Sequence, residues 1–251
     1  MSLDACADLV QRGDPDRFAT VLAAPVGLRA RLLPLYAFNV EVTRAPWVTA
    51  EAPIAEMRLQ WWRDALEEVA QGRPVRRHEV TTPLAGVIDA EAARTLDRLV
   101  AARRWDIYRD PFEDAAHFAE YIDATAAGLM WTAARLLGAG DEAAVRDLGW
   151  AQGLAAFLRA IPELESRGRR PLVDGRPEAV AALAAEGLRR LRAGVAGGAR
   201  GPATWPAWEA AAVLALAARD PGRVAEGALG VSELRRRALR LRAALTGRVA
   251  A

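Results

Sequence analysis

Lysine is missing from this sequence of 251 residues, so all 34 basic residues are arginine. With 32 acidic residues they give a formal net charge of +2. The bias towards arginine is typical either of genome composition or of a surface that meets anionic lipid, phosphate or an acidic partner. No recognised nucleic-acid-binding motif accompanies the charge, and we therefore expect no nucleic-acid partner.

Other residue types that build recognisable sites are scarce. Cys6 is the single cysteine, which excludes an internal disulfide and any cysteine-based zinc site. His78 and His117 each lack a second histidine at metal-ligand spacing, so we predict no histidine metal site. No run of 18 residues is free of charge, and we predict no membrane-spanning helix. Because Asp4 and Asp8 precede any apolar run, we expect no secretory signal and a cytoplasmic protein.

Signals for helices recur along the chain, whereas signals for strands do not. We therefore predict an all-α protein of about ten helices, and the 52% hydrophobic composition is sufficient for one domain over residues 1–251. Asp14 before Pro15 is typical of an N-cap followed by a first-turn proline, and Asp141 of a second N-cap. Pro162 is expected to end the helix that Asp141 opens, at about Ala160.

An acidic repeat is the strongest apparent metal motif in the sequence. On one continuous helix, Asp106, Asp110 and Asp114 would share a face and could hold a hard cation such as Mg²⁺. Pro111 argues against that interpretation, because proline lacks an N–H and fits poorly inside a helix. Asp110 followed by proline is instead typical of a helix N-terminus. We predict a cap at Asp110 and a long helix from there to about Leu137.

Four short segments follow one another in a characteristic order. They are Leu35-Tyr36-Ala37-Phe38, then Trp62 with Leu66, then Tyr121 through Ala127-Gly128, and then Gln152 through Phe157-Leu158-Arg159. In this order they resemble the squalene/phytoene synthase family of head-to-head prenyl transferases, over about residues 10–175. The resemblance implies a single-domain, isoprenoid-synthase-like helical bundle around a central cavity. The ligand-binding candidates that it implies are Tyr36, Phe38, Trp62, Tyr121, Gly128, Gln152 and Arg159.

The resemblance also implies two acidic motifs on facing helices. In such enzymes the carboxylates hold Mg²⁺, which neutralises the diphosphate leaving group of the prenyl donor. This sequence departs from the family at both motifs. The aligned positions carry Thr43, Arg44 and Trp47 in the first motif, and Ala160 and Leu164 in the second. We therefore predict no catalytic residue, no metal ligand and no cofactor.

A branch of the family without the aspartates is similar to a mitochondrial complex I assembly factor. The segment Met57–Glu68, which reads MRLQWWRDALEE, resembles the bacterial members of that branch. This resemblance implies a non-catalytic protein with a respiratory-complex partner, or with an isoprenoid or other lipid ligand.

The alternative is an active prenyl transferase that acts on isoprenyl diphosphates in isoprenoid or carotenoid biosynthesis. In that case four arginines could grip the diphosphate oxygens bidentately. Magnesium is expected only under this alternative. The four residues are Arg44, Arg159, Arg167 and Arg169.

The last predicted helix, over about residues 232–245, is basic and amphipathic. Such a helix is compatible with an anionic membrane surface, and equally with a basic face that water solvates. Peripheral contact with the inner membrane is therefore a further expectation beside the cytoplasmic location.

Overall fold

Helices account for all of the regular structure in the residues that a computed structural model of the chain describes, 3–138 and 140–251. The all-α prediction is confirmed. The α-helices are α1 (Leu3–Gly13), α2 (Pro15–Ala23), α3 (Val26–Arg44), α4 (Ala52–Ala70), α5 (Thr81–Ala85), α6 (Ala90–Ala102), α7 (Ala115–Ile122), α8 (Gly128–Leu136), α9 (Glu142–Ser166), α10 (Pro177–Ala196), α11 (Ala210–Arg219), α12 (Gly222–Ala225) and α13 (Glu233–Thr246).

Short segments of other helical geometry link several of these helices. Three are 3₁₀ turns, at Ala45–Trp47, Arg103–Asp106 and Trp205–Ala207. A π-helical segment, Asp123–Ala127, joins α7 to α8 without a loop. None of the described helices combines the length and the apolar character needed to cross a membrane.

The chain divides into two compact units. The first contains the described residues up to Tyr108 and those from Thr132 to Gly138, and in it α1 packs on α3 and α4 packs on α6. The second contains Arg109–Trp131 and Gly140–Ala251, and in it α10 packs on both α9 and α11. One domain over residues 1–251 stays a prediction.

Local capping signals set two helix starts as predicted. The carboxylate of Asp14 accepts a hydrogen bond from the backbone N–H of Arg17 at 2.9 Å, with Pro15 in the first helical position. The carboxylate of Asp141 accepts from the N–H of Ala144 at 2.7 Å. Each cap satisfies a backbone donor that has no partner inside its own helix.

The predicted cap at Asp110 is wrong. The helix begins at Ala115, and Asp114 is its N-cap, accepting from the N–H of His117 at 2.8 Å. The segment before it is not helical because the side chain of Phe112 is buried among other aromatic rings. The metal interpretation of the acidic repeat fails as well, because Asp106 lies in a 3₁₀ turn and pairs with Arg103 at 3.1 Å.

The predicted end of α9 at about Ala160 is also wrong. The helix continues through Pro162 to Ser166. Pro162 cannot donate the usual backbone hydrogen bond, but Ile161 and Leu164 on either side of it are buried. Their packing offsets the lost bond and keeps the helix intact across the proline.

Candidate functional site

In the first unit, three polar side-chain atoms line one face of α3 without a hydrogen-bond partner. They are the hydroxyl of Tyr36, the Oδ1 of Asn39 and the hydroxyl of Thr43, and each is buried and unpaired among the described residues. Spacings of three and seven residues put all three on the same side of the helix, over about 10 Å of its length. We call these three residues the α3 polar face.

The phenol of Tyr36 stays protonated at any physiological pH. Burial raises its pKa to about 12, although the guanidinium of Arg17, 5.1 Å from the ring centroid, acts in the opposite direction. The α3 polar face therefore presents neutral hydroxyl and amide groups. Such groups match the hydrogen bonds of an uncharged polar group. They carry no charge that could neutralise a diphosphate or a divalent cation.

Substitutions on the α3 polar face should stabilise the protein. A buried hydroxyl without a partner costs about 1–3 kcal/mol, so Thr43→Val should raise the free energy of unfolding by about 1 kcal/mol. The matched control is Thr125→Val, because the hydroxyl of Thr125 is buried and donates to the carbonyl of Tyr121 at 2.6 Å. The control should lower stability by a similar amount in urea denaturation. Equal losses in both variants would contradict the assignment.

Aromatic rings pack on a different side of α3, since Phe38 follows Tyr36 by two residues and therefore points about 160° away from it around the helix. Phe38 is fully buried, and its ring centroid lies 5.4 Å from that of Trp62 in an edge-to-face arrangement. Trp61, the neighbour of Trp62, is only partly buried and contacts His78 at 5.2 Å between centroids. Two of the predicted candidates, Phe38 and Trp62, are therefore in direct contact, whereas a ligand-binding role for them stays a prediction.

In the second unit, the Tyr121–Gly128 signature coincides with the π-helical segment. The N–H of Gly128 donates to the carbonyl of Asp123, five residues earlier, which is the hydrogen bond that defines a π-helix. The long helix predicted from Asp110 to about Leu137 is wrong at this point, because the π-helical segment interrupts it. Single-turn π segments occur frequently at functional sites, so the signature marks a specialised backbone as well as particular side chains.

The π-helical segment lies against two glycines of α9. A Cβ atom at Gly149 would lie 2.8 Å from the Cα of Ala127, and one at Gly153 would lie 2.3 Å from the Cβ of Ala126. The spacing of four residues places both glycines on one face of α9. This spacing was the available sequence signal for a close approach of two backbones.

An aromatic cluster holds the start of the second unit together. The ring of Phe112 lies 5.1 Å from Phe118, 5.4 Å from Tyr121 and 6.2 Å from Phe157, measured between centroids. Phe157 also contacts Phe118 at 5.2 Å and Tyr121 at 6.0 Å. Of the predicted candidates, Tyr121 therefore belongs to this cluster.

The other two candidates of the second unit lie on α9, seven residues apart. The side chain of Gln152 is partly buried. Arg159 is exposed and forms an ion pair with Glu209, a residue that also lies 3.6 Å from Arg236. Arg159 thus takes part in an ion-pair network, which no local sequence pattern indicated.

The positions predicted to align with the family's metal motifs carry side chains unsuited to Mg²⁺. Arg44 ends α3 with its side chain largely exposed, 3.5 Å from Glu41. Thr43 belongs to the α3 polar face, and Trp47 lies in the following 3₁₀ turn. A guanidinium beside the nearest carboxylate opposes a cation at this end of α3.

The positions predicted for the second motif are also occupied by side chains unsuited to Mg²⁺. Ala160 is exposed and Leu164 is buried, and the nearby carboxylate of Glu163 pairs with Arg167 at 2.7 Å. Over residues 3–138 and 140–251, no group of three or more His, Cys, Asp or Glu side chains is placed to hold a metal ion.

Known proteins that are similar to this chain in sequence are named as complex I assembly factors. The protein called NADH dehydrogenase (ubiquinone) complex I, assembly factor 6 homolog of Drosophila melanogaster is 32% identical over 181 residues, which are 67% of this chain and 53% of that protein. The assembly factor 6 of Homo sapiens is 25% identical over 177 residues, 64% of this chain and 50% of that protein. The chain thus spans about half the length of these relatives.

Solved structures extend the fold comparison over nearly the whole chain. A dehydrosqualene synthase in complex with a ligand has a TM-score of 0.66 at 14% identity, covering 95% of this chain and 94% of the other. Squalene synthase HpnC from Alicyclobacillus acidocaldarius has a TM-score of 0.62 at 17% identity, covering 98% and 94%. These likenesses confirm the isoprenoid-synthase-like fold. The squalene/phytoene synthase family model matches residues 10–245, and the chain belongs to that family.

Proposed function

We propose that this chain is an assembly-type factor for respiratory complex I that retains the prenyl-synthase fold without its metal-dependent chemistry. The observation that carries the proposal is the similarity to the complex I assembly factor 6 proteins over about two thirds of the chain. The whole-chain likeness to synthases supports the fold, which is compatible with many activities.

The residues at the motif positions support a loss of catalysis. Ionisation of an allylic diphosphate requires concentrated positive charge on the leaving group, which Mg²⁺ between facing carboxylates supplies in enzymes of this fold. Here Glu41 and Glu163, the carboxylates nearest to the two motifs, each lie beside an arginine of their own helix or its end. The residues present therefore do not fit a magnesium site.

The arginines that an active transferase would need are also engaged. Arg159 pairs with Glu209, and Arg167 pairs with Glu163. A guanidinium paired with a carboxylate must break that pair before it can grip a diphosphate. The active-transferase alternative therefore requires a rearrangement of both pairs.

The α3 polar face supports a neutral ligand rather than a charged one. Its hydroxyl and amide groups can hydrogen-bond an alcohol, quinone or amide head group. An isoprenoid or other lipid with an uncharged head is the ligand class that we propose for this unit, alongside a respiratory-complex protein partner.

The first test is turnover. We expect the purified chain with farnesyl or geranylgeranyl diphosphate and Mg²⁺ to release diphosphate at least about 10³-fold more slowly than a dehydrosqualene synthase assayed in parallel, because the electrostatic stabilisation of the leaving group is missing. A phosphate assay coupled to pyrophosphatase measures the release of diphosphate. Extraction with solvent measures the prenyl products separately. Release at a comparable rate would establish the transferase alternative.

The second test addresses assembly directly. Deleting the gene in its source organism should reduce the amount of fully assembled complex I on native gels, and expression of the wild-type chain should restore it. An Arg44→Ala variant, which removes a guanidinium that only the transferase alternative uses, should restore complex I as well as the wild type does. Normal complex I in the deletion strain would refute the proposed function.

A further inference from the structure

Helix α13 presents a stripe of leucines to solvent. Leu234, Leu241 and Leu245 are 81%, 60% and 77% exposed. Their spacings of seven and four residues place them within about 40° of one another around the helix, over about 16 Å of its length. Ala238, also exposed, lies between them on the same side. We call these four residues the α13 stripe.

The opposite side of α13 packs on other residues of the second unit, to which α13 itself belongs. The guanidinium groups of Arg236 and Arg240 lie over the ring of Trp208, at 5.4 Å and 5.1 Å from its centroid, and Ala243 is buried. These contacts set the rotation of the helix. The α13 stripe faces outward because the inner face is already occupied.

Arginines without carboxylate partners flank the α13 stripe. Arg235 and Arg242 are both exposed, and neither forms an ion pair within the described part of the chain. On the other flank, Arg237 lies 3.2 Å from Glu233, the one acidic residue of α13. The free charges on this face are therefore positive, directly beside exposed leucines.

We propose that the α13 stripe and its flanking arginines bind the surface of an anionic lipid bilayer, with α13 lying parallel to the membrane plane. A narrow row of leucines can enter the boundary between head groups and acyl chains while the arginines remain at the phosphates. A protein groove that covered the leucines would have to provide carboxylates for Arg235 and Arg242 as well. The phosphates of an anionic bilayer supply that charge everywhere on its surface. This proposal is independent of the function proposed above.

The test is flotation of the full-length chain with lipid vesicles. We expect binding to vesicles of 70% phosphatidylcholine and 30% phosphatidylglycerol in 50 mM NaCl. The apparent affinity should fall about 10-fold or more on pure phosphatidylcholine, and similarly in 500 mM NaCl, because the arginine contribution is electrostatic. The triple variant Leu234→Ser, Leu241→Ser, Leu245→Ser should bind at least about 100-fold more weakly, since each leucine contributes apolar burial.

A matched control separates the α13 stripe from exposed apolar residues in general. Leu22, Val26 and Met57 in the first unit are 48%, 74% and 71% exposed, and changing all three to serine should leave vesicle binding unchanged. Both triple variants should keep the wild-type melting temperature, because the substituted side chains are exposed.

Charge requires its own control. The double variant Arg235→Glu, Arg242→Glu should lose at least about 25-fold in affinity for the anionic vesicles, at about fivefold or more for each arginine. Arg94→Glu with Arg192→Glu changes two exposed arginines elsewhere by the same charge and should lose less than about threefold.

Three outcomes would overturn the proposal. The first is no binding of the wild type to anionic vesicles in 50 mM NaCl. The second is equal losses in the α13 variants and their controls. The third is a wild-type dimer in sedimentation experiments that the leucine triple variant converts to a monomer, which would assign the α13 stripe to a second copy of the chain.

Discussion

Replacing Phe157 with alanine should lower the free energy of unfolding by about 3–5 kcal/mol, the usual cost of removing a buried phenyl ring. The ring of Phe157 contacts three other aromatic rings, and those of Phe112, Phe118 and Tyr121 are themselves buried. Neighbouring side chains cannot easily move to fill a cavity at the centre of this cluster, because two of the rings are held on α7. Urea denaturation monitored by circular dichroism measures the loss.

The variant should also release the segment before α7. Phe112 is the residue of that segment that is buried in the cluster, so its loss of contacts should speed tryptic cleavage after Arg109. Phe157→Leu keeps most of the volume and should lose less than about 1.5 kcal/mol with slower cleavage. If Phe157→Ala lay within 1 kcal/mol of the wild type, the cluster would not be what holds the segment.

Helix starts that depend on neighbouring residues were predictable from the sequence. Asp14 with Pro15, and Asp141, carry their cap signal within three residues, and the structure has both caps. Asp110 carries an equally good local signal, yet the helix starts at Ala115. The deciding interaction is the burial of Phe112 against residues up to 45 positions away, which a local pattern does not contain.

Part of the candidate site was likewise predictable from the sequence, and part was not. The resemblance to the family located Tyr36 and Thr43, but it did not single out Asn39 or place the three residues on a shared face. Only the structure shows that their hydroxyls, with Oδ1 of Asn39, are buried without a partner. The pair of Arg159 with Glu209 joins residues 50 positions apart and had no signal in the sequence.

The sequence does contain a signal for the close packing of the π-helical segment, namely two glycines in α9. Two glycines four residues apart in the middle of α9, Gly149 and Gly153, are unfavourable for a helix unless another backbone comes close. That backbone is the π-helical segment, where the Tyr121–Gly128 signature lies. A glycine pair of this kind predicts close contact, although it does not identify the partner.

Gly153→Ala should therefore destabilise the protein by about 1–3 kcal/mol, although alanine is the better helix former. Its Cβ would lie 2.3 Å from the Cβ of Ala126 and 3.1 Å from Cγ2 of Ile122, so α9 and the π-helical segment would have to separate. Gly27→Ala is the matched control. It lies in α3 with nothing within 4 Å of the new Cβ, and should stabilise the protein by about 0.5 kcal/mol.

A compensating substitution tests the cause of the loss. Ala126→Gly removes the atom that the new methyl group meets, so the double variant Gly153→Ala, Ala126→Gly should be more stable than the sum of the two single effects by about 1 kcal/mol or more. Thermal unfolding of all four proteins gives this coupling energy. Simple additivity would place the strain elsewhere and contradict the close packing. Positive coupling would show that the glycine face of α9 keeps the π-helical backbone, and with it the family signature, in position.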